Sequence, residues 1–217
     1  MRYYVITGGP LTSKAAEVIK DGVIIAADKG IDFCFEHGFT PALAVGDMDS
    51  ISPEGLERLN SSGIPVKTFP VEKDMTDTEL AISFVPENEE LTVVCPLSGR
   101  IDHVTANIQL AAALHRDGRK IKLDDGVTEV YFLSGNDEIS LTLERYGDDS
   151  AVSLVPLSFD REVTGVTTEG LYYPLTDAVV TCGKTLTFSN KPISGVSKIR
   201  VSIKEGLMAV MVSSSKA

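Results

Sequence analysis

Short apolar runs alternate with stretches of helical periodicity over the first 134 residues of the chain. The apolar runs are rich in Val and Ile, as strands buried on both faces are. They are YYVIT (3–7), VIIAA (23–27), ALAVG (42–46), LTVVCP (91–96) and VYFL (130–133). The segments with helical spacing, often closed by Gly, are SKAAEVIKDG (13–22), GIDFCFEHG (30–38), SPEGLERLNSSG (52–63) and TDTELAISFV (76–85). Strand and helix in alternation predict an α/β domain with a mostly parallel sheet.

Helical periodicity disappears after about residue 134. Short β-like segments separated by turn residues follow, as all-β domains show. They are ISLTLERYG, AVSLVPLS, EVTGVTT, AVVTCGKTLTFS (178–189), SKIRVSI and LMAVMVS. We therefore expect an α/β domain over residues 1–134, followed by an all-β sandwich or barrel over residues 135–217.

The net charge of the chain is -11, which disfavours contact with nucleic-acid backbones and anionic lipids. No segment approaches the about 18 consecutive apolar residues that a membrane span needs. We therefore expect a cytoplasmic protein with neither a nucleic-acid nor a membrane partner. The widely spaced Cys34, Cys95 and Cys182 favour reduced, mostly buried thiols over disulfides or a zinc site.

Carboxylates follow two of the predicted strands. Asp28 comes directly after VIIAA, and Asp47 and Asp49 come after ALAVG. In an extended segment residues i and i+2 point to the same side, about 6.5 to 7 Å apart, so we expect the Asp47 and Asp49 carboxylates to converge. Two such charges repel unless a cation lies between them. A turn preference explains one Asp after a strand better than it explains two.

The segment EKDMTDTELA (72–81) is a third acidic group, at the start of a predicted helix. It contains Asp74 and Asp77, and Thr76 is the predicted N-cap, with Glu79 completing a capping box. Asp74 and Thr76 could serve as helix caps and nothing more, since Asp and Thr are favoured there for local hydrogen bonds.

The segment SGRIDH (98–103) follows LTVVCP and contains Arg100 and Asp102. Asp102 could likewise be only a helix cap. In open α/β sheets the carboxyl ends of the strands form the ligand crevice, so the acidic loops are expected to meet at one rim. Lys73 and Arg100 suit phosphate oxygens there, Arg in bidentate fashion and Lys as a point charge.

The donor types favour magnesium. Mg²⁺ prefers oxygen ligands and usually takes a few carboxylates together with substrate phosphates. The histidines and cysteines lack zinc spacing, and no EF-hand, dinucleotide fingerprint or nucleophile motif is present. GKT at 183–185 resembles the end of a P-loop, but the required earlier glycine is Ala178. The remaining chemistry is metal-assisted transfer of a phosphate-containing group.

Six motifs resemble, in order, the signature of the thiamine pyrophosphokinases, also called thiamine diphosphokinases. The motifs are AADKG (26–30), GDMDS (46–50), KDMTDTELA (73–81), GRIDH (99–103), GLYYPL (170–175) and SN (189–190). The resemblance implies an α/β catalytic domain followed by a β-sandwich thiamine-binding domain, in a homodimer with active sites between subunits. It also implies transfer of a pyrophosphoryl group from Mg-ATP to thiamine, giving thiamine diphosphate and AMP.

The same resemblance implies roles for individual residues. The Mg²⁺ ligands are expected to be Asp47, Asp49 and Asp77. The residues expected to bind the nucleotide or thiamine are Asp28, Lys73, Asp74, Thr76, Arg100, Ser189 and Asn190. Those expected to take part in catalysis are Asp49, Asp77, Arg100 and Asp102.

One departure from the family concerns the thiamine pocket. Many members place a Trp near the C-terminus, and this chain has no Trp. The matching stretch is GLMAVMV (206–212), in which we expect Met208 to offer a polarizable apolar face. Two alternatives therefore remain: a phosphotransferase of the same architecture acting on another heterocyclic alcohol, and a catalytically silent regulator that binds nucleotide or metal.

Overall fold

The computed structural model describes residues 1–70, 72, 74–146 and 150–214. Lys73, one of the predicted phosphate-binding residues, lies outside the described residues. The chain divides into two compact units. The first comprises Met1–Ala111 and Arg119–Gly126, and the second comprises Ala112–Gly118 and Val127–Ala217. The boundary between the two domains, expected after residue 134, stays a prediction.

Parallel strands form the sheet of the first unit, as predicted. They are β1 (Arg2–Ile6), β2 (Val23–Ala27), β3 (Leu43–Gly46), β4 (Val66–Thr68), β5 (Glu90–Val94) and β6 (Ile121–Asp124). Their order is β4-β3-β2-β1-β5-β6, with every neighbouring pair parallel. The chain moves outward from β1 to β4 and then returns to place β5 on the other side of β1. The order therefore reverses between β1 and β5, where ligand crevices of open α/β sheets lie.

Helices connect these strands, and the first four lie in the predicted helical segments. They are α1 (Ser13–Ala16), α2 (Gly30–Glu36), α3 (Pro53–Ser62), α4 (Asp77–Ser83) and α5 (Ile101–Arg116). Helix α3 shows why the local sequence suffices: the Ser52 hydroxyl accepts from the Gly55 N–H, Pro53 occupies the first turn, and Gly63 ends the helix in a left-handed conformation. Helix α1 is shorter than the predicted segment 13–22.

Antiparallel strands form the second unit. They are β7 (Thr128–Ser134), β8 (Asp137–Thr142), β9 (Ser150–Pro156), β10 (Val163–Glu169), β11 (Ala178–Val180), β12 (Lys198–Ile203) and β13 (Leu207–Ser214). Strand β13 pairs with β7 on one side and β9 on the other, and a separate sheet has the order β11-β10-β12-β8. The predicted all-β organisation is confirmed.

Two strand predictions were wrong in detail, and two strands were missed. VYFL, grouped with the parallel strands, belongs to β7 and pairs antiparallel with β13, because a short apolar run does not reveal the direction of its partner. Of the segment 178–189, only Ala178–Val180 forms a strand. The exposed β4 and the short β6 were not predicted.

Candidate functional site

A cavity of about 690 Å³ opens in the first unit. It is lined by residues 7–10 after β1, residues 27–29 after β2, Ser50, residues 76–78 at the start of α4, and residues of the segment 96–107. These segments follow the carboxyl ends of β1, β2 and β5 or begin the adjoining helices. The cavity therefore lies where the strand order reverses. The sequence analysis did not assign the TGGP loop after β1 to the site. A single segment does not reveal which strands lie beside it in the sheet, so the position of this loop at the reversal could not be predicted.

Asp28, one of the predicted site residues, lines this cavity. Its backbone is left-handed, with φ 45°, and its N–H donates to the Val45 carbonyl at 2.9 Å. The Asp28 carboxylate lies against the Cα of Gly46, where an added Cβ would overlap Oδ1 and lie 2.7 Å from Cγ. Gly46 itself has φ 139°, a conformation that favours glycine. The ends of β2 and β3 are thus closely packed on each other.

Asp47 and Asp49 lie in the next loop, but not in the extended geometry that we expected. Met48 between them is left-handed, with φ 67°. The Asp49 N–H donates to Asp47 Oδ1 at 3.2 Å, as in an Asx turn. The alternation argument for converging carboxylates was therefore wrong. The loop contributes Ser50 to the cavity lining, whereas neither Asp47 nor Asp49 is among the described lining residues.

Helix α4 presents two predicted residues to the cavity, Thr76 and Asp77. Thr76 is the N-cap, as predicted, and its Oγ1 accepts from the Glu79 N–H at 3.2 Å. Asp77 is the first helical residue and is half-buried. Asp74 is exposed and is not among the described residues that line the cavity.

Arg100 and Asp102 form an exposed bidentate ion pair. Nη2 donates to Oδ2 at 2.6 Å and Nε donates to Oδ1 at 3.3 Å. Hydrogen bonding to the guanidinium lowers the pKa of the Asp102 carboxyl, and the same bonds raise the pKa of Arg100. Of the two residues, Arg100 lines the cavity. Because exposed ion pairs contribute little to stability, an anionic ligand can compete with Asp102 for the guanidinium at small cost.

Lys29 was missed by the sequence analysis, although it lies in the AADKG motif. Its side chain is exposed and lines the cavity beside Asp28. Within the described part of the chain, Lys29 forms no ion pair. It is therefore available to an anion entering the cavity without displacing an existing partner.

The donor chemistry of the cavity suits Mg²⁺. Among the described residues, no group of three or more His, Cys, Asp or Glu side chains is already arranged to hold a metal. Mg²⁺ does not require such a cage, because it usually binds one or two carboxylates together with waters and substrate phosphates. The Asp28 and Asp77 carboxylates beside Lys29 and Arg100 therefore fit a metal–phosphate ligand.

The second unit contains a separate cavity of about 370 Å³. Its lining is mostly apolar, with one amide: Leu154, Tyr173, Pro174, Leu175, Leu186, Thr187, Phe188 and Asn190. Asn190, a predicted site residue, holds the wall of this cavity in place. Its Oδ1 accepts from the Tyr173 N–H at 3.1 Å, and its Nδ2 donates to the Tyr173 carbonyl at 2.8 Å.

Ser189, the other predicted residue in this unit, is exposed and left-handed, with φ 55°. Its N–H donates to Ser153 Oγ at 3.0 Å. Ser189 is not among the described residues that line the cavity. It instead shapes the turn that brings Asn190 into the lining.

The expectation for Met208 was wrong. Met208, in β13, is fully buried in the hydrophobic core of the second unit. Its partners in the sheet are Leu133 of β7 and Pro156 of β9. Strand alternation places Met208 and Val210 on the inward face, so Met208 has no surface to offer a ligand. Exposed aromatic side chains of this unit include Phe188, Tyr172 and Tyr173, and the two tyrosines meet edge to face with ring centroids 4.9 Å apart.

Two family models match the chain. "Thiamin pyrophosphokinase, catalytic domain" matches residues 16–123, and "Thiamin pyrophosphokinase, vitamin B1 binding domain" matches residues 138–208. The first match contains the cavity residues of α4 and α5, and the second contains the Asn190 cavity. No helix within the described residues is long and apolar enough to span a membrane.

Individual relatives agree with the family models. A thiamine pyrophosphokinase of Bacillus subtilis (strain 168) is 29% identical over 171 residues, which cover 78% of each chain. A crystal structure of the thiamine pyrophosphokinase from Bacillus subtilis superposes with a TM-score of 0.84 at 25% identity, covering 99% of this chain and 100% of that one. The corresponding structure from Geobacillus thermodenitrificans gives 0.81 at 27% identity, covering 100% and 99%. The chain is therefore an enzyme of the thiamine pyrophosphokinase family.

Proposed function

We propose that this enzyme transfers a pyrophosphoryl group from Mg-ATP to the hydroxyl of thiamine, giving thiamine diphosphate and AMP. The thiamine hydroxyl oxygen forms a bond to the β-phosphorus of ATP. The bond from that phosphorus to the oxygen bridging the α-phosphorus breaks, AMP leaves with that oxygen, and the hydroxyl proton is released. The observation that carries the proposal is the cavity of the first unit, where carboxylates and cations lie together at the strand-order reversal.

The cations of the cavity have a clear task in this reaction. Lys29 meets a phosphate oxygen as a point charge, and Arg100 offers a bidentate contact once it exchanges Asp102 for phosphate. Asp102 orients the guanidinium before the nucleotide binds, through the two hydrogen bonds already formed. We retain Lys73, Asp74 and Thr76 as further nucleotide contacts.

The acidic residues would hold the metal. Asp77 would contact it from the cavity wall, and Asp47 and Asp49 from the adjoining loop, with Asp28 as a further acidic neighbour. Mg²⁺ supplies charge neutralisation on the triphosphate, and in phosphoryl transfer this effect and positioning provide most of the catalysis. Asp47 and Asp49 belong to the loop that contributes Ser50 to the cavity lining, which supports a place for their carboxylates at its edge.

The acceptor is proposed to bind in the Asn190 cavity of the second unit. This cavity combines apolar walls with the Tyr173 ring, which suits a cationic heterocycle. Asn190 and Ser189 fix its shape through hydrogen bonds to backbone and to Ser153. Because neither Trp nor an exposed Met208 is present, another heterocyclic alcohol remains the second candidate acceptor.

We further propose a cytoplasmic homodimer, with active sites between subunits and an interface that includes the second unit. Exposed apolar side chains near the Asn190 cavity support this assembly, since such surfaces mark interaction sites. They are Tyr172, Tyr173, Leu186, Phe188 and Ile193. Light scattering that found a fully active monomer at assay concentration would contradict the dimer. The expected division, a nucleotide-binding domain over residues 1–134 and a thiamine-binding domain over 135–217, is part of the same proposal.

Incubation of the enzyme with Mg-ATP and a panel of heterocyclic alcohols, followed by chromatography, tests the reaction. Thiamine should yield AMP and thiamine diphosphate in equal amounts, and omission of Mg²⁺ should abolish both. Greater turnover with another alcohol would favour the second candidate. Production of ADP with thiamine monophosphate would contradict the proposed transfer.

A further inference from the structure

Asp32 is a buried carboxylate in α2 that the proposed chemistry does not use. It is 7% exposed. Its Oδ1 accepts from the Ser52 hydroxyl at 2.7 Å, and its Oδ2 accepts from the Ser52 N–H at 2.9 Å. Both oxygens are therefore committed to one residue, Ser52. In the described part of the chain, Asp32 forms no ion pair that would offset the cost of burying its charge.

Ser52 lies at the junction between the acidic loop and α3. Its Oγ accepts from the Gly55 N–H at 3.0 Å, which makes it the helix N-cap. An added Cβ at Gly55 would overlap Asp32 Oδ1, so the carboxylate is packed directly against the first turn of α3. The positive end of the α3 dipole partly stabilises the buried charge at this place.

The loop of residues 46–52 is consequently fixed at both ends by one short segment of chain. At its start, Asp28 packs on Gly46 and donates its N–H to Val45. At its end, Asp32 binds Ser52 through two charge-assisted hydrogen bonds. Asp47 and Asp49 lie between these anchors. Segment 28–32 thus contacts both ends of the loop that carries the two carboxylates.

We propose that Asp32 is a positioning residue that presents the Asp47 and Asp49 carboxylates to the metal–triphosphate by fixing Ser52. This inference rests on the proposed function of the site. Asn at position 32 retains the shape, but it replaces one acceptor oxygen with a donor nitrogen and cannot accept the two Ser52 hydrogens at separate oxygens, as Asp32 does. The loop then keeps its anchor at Gly46 and loses much of the anchor at Ser52.

A matched control exists in the same pair of helices. Arg58 of α3 donates from Nη1 to the Phe35 carbonyl at 3.0 Å, and its guanidinium lies 4.4 Å from the centroid of the Phe35 ring. Arg58→Ala therefore weakens the attachment of α3 to α2 without touching the 46–52 loop. A purely structural role of Asp32 predicts that Asp32→Asn and Arg58→Ala behave alike.

The test compares Asp32→Asn, Ser52→Ala, Ser52→Thr and Arg58→Ala with the wild type. Metal affinity is measured by Mn²⁺ electron paramagnetic resonance with the α,β-methylene analogue of ATP, and stability by urea unfolding. Asp32→Asn and Ser52→Ala should weaken metal affinity about 10-fold, the lower end of the loss seen for direct partners of metal ligands, because Asp32 acts on the ligands through Ser52. Ser52→Thr keeps both the N–H and the hydroxyl donor, so its metal affinity should equal that of the wild type. Arg58→Ala should lose stability while its metal affinity stays unchanged.

The inference is overturned if Asp32→Asn and Ser52→Ala lower only stability and bind metal like Arg58→Ala. If Asp32→Asn fails to fold, the Ser52→Ala and Ser52→Thr pair decides the same question. Metal binding by the wild type without formation of thiamine diphosphate would overturn the proposed reaction and leave this inference standing. A wild type that binds no metal with the analogue would overturn both.

Discussion

Replacement of Gly46 by Ala tests the close packing between the ends of β2 and β3. Gly46 has φ 139°, and an added Cβ would overlap Asp28 Oδ1 and lie 2.7 Å from its Cγ. A non-glycine residue in such a sparsely populated conformation costs about 1 to 3 kcal/mol. The overlap adds a second effect, since the Asp28 carboxylate must leave its place in the cavity lining.

Gly63→Ala is the matched control for backbone strain alone. Gly63 has φ 73°, and the described residues place no atom within 4 Å of an added Cβ. Its Ala variant should lose about 1 to 2 kcal/mol, the cost of a left-handed residue. Turnover per folded molecule should remain at the wild-type value, because Gly63 lies at the far end of α3 from the acidic loop.

The two variants are compared by urea unfolding and by turnover corrected for the folded fraction. Gly46→Ala should lose at least as much stability as Gly63→Ala, and its turnover should fall by about tenfold or more, equivalent to about 1.4 kcal/mol in the barrier. A Gly46→Ala enzyme with wild-type turnover and the stability of Gly63→Ala would refute the proposed contribution of the Asp28 position to the reaction.

Three further outcomes follow from the geometry. Asn190→Ala removes the hydrogen bonds to the Tyr173 backbone and should raise the KM for thiamine about tenfold, with the KM for ATP unchanged, as steady-state kinetics would measure. Met208→Trp should destabilise the second unit by about 1 to 3 kcal/mol through overpacking, and it should not lower the KM for thiamine. A lower KM for thiamine in the same kinetic assay would contradict the buried position of Met208. Burial raises the pKa of the Cys34 and Cys95 thiols to about 12. Maleimide near neutral pH should therefore label only Cys182 in the native protein. After unfolding it should label all 3 cysteines, and mass spectrometry would count the labels.

Local signals were sufficient to predict several elements of the fold and site. The run VIIAA coincides with β2. A short, continuous stretch rich in Val and Ile favours a strand buried on both faces, and the helix that begins at Gly30 limits its length. Thr76 is an N-cap because the capping preference depends only on residues within one helical turn. Asp28, Asp77 and Arg100 were found in the cavity lining because each follows a strand or begins a helix at the predicted rim.

Other features depend on partners distant in sequence. The cavity forms where β5 returns beside β1, and nothing within either strand specifies that neighbour. The Met48 backbone turns left-handed, so the period of two used for Asp47 and Asp49 does not hold. Met208 was expected at a surface, but the alternation of β13 places it between β7 and β9 in the core. A family motif shows which residue types follow one another along the chain, but it does not show in which direction each side chain points.

Transfer of the β- and γ-phosphates together, as one pyrophosphoryl group, is the central claim, and labelled ATP tests it directly. The enzyme is incubated with thiamine, Mg²⁺ and ATP that carries ³²P only at the β-phosphate, and the products are separated by chromatography. Pyrophosphoryl transfer predicts that the label leaves the nucleotide, so that thiamine diphosphate is radioactive and AMP is not. Label retained in ADP, with unlabelled thiamine monophosphate as the product, would contradict the account.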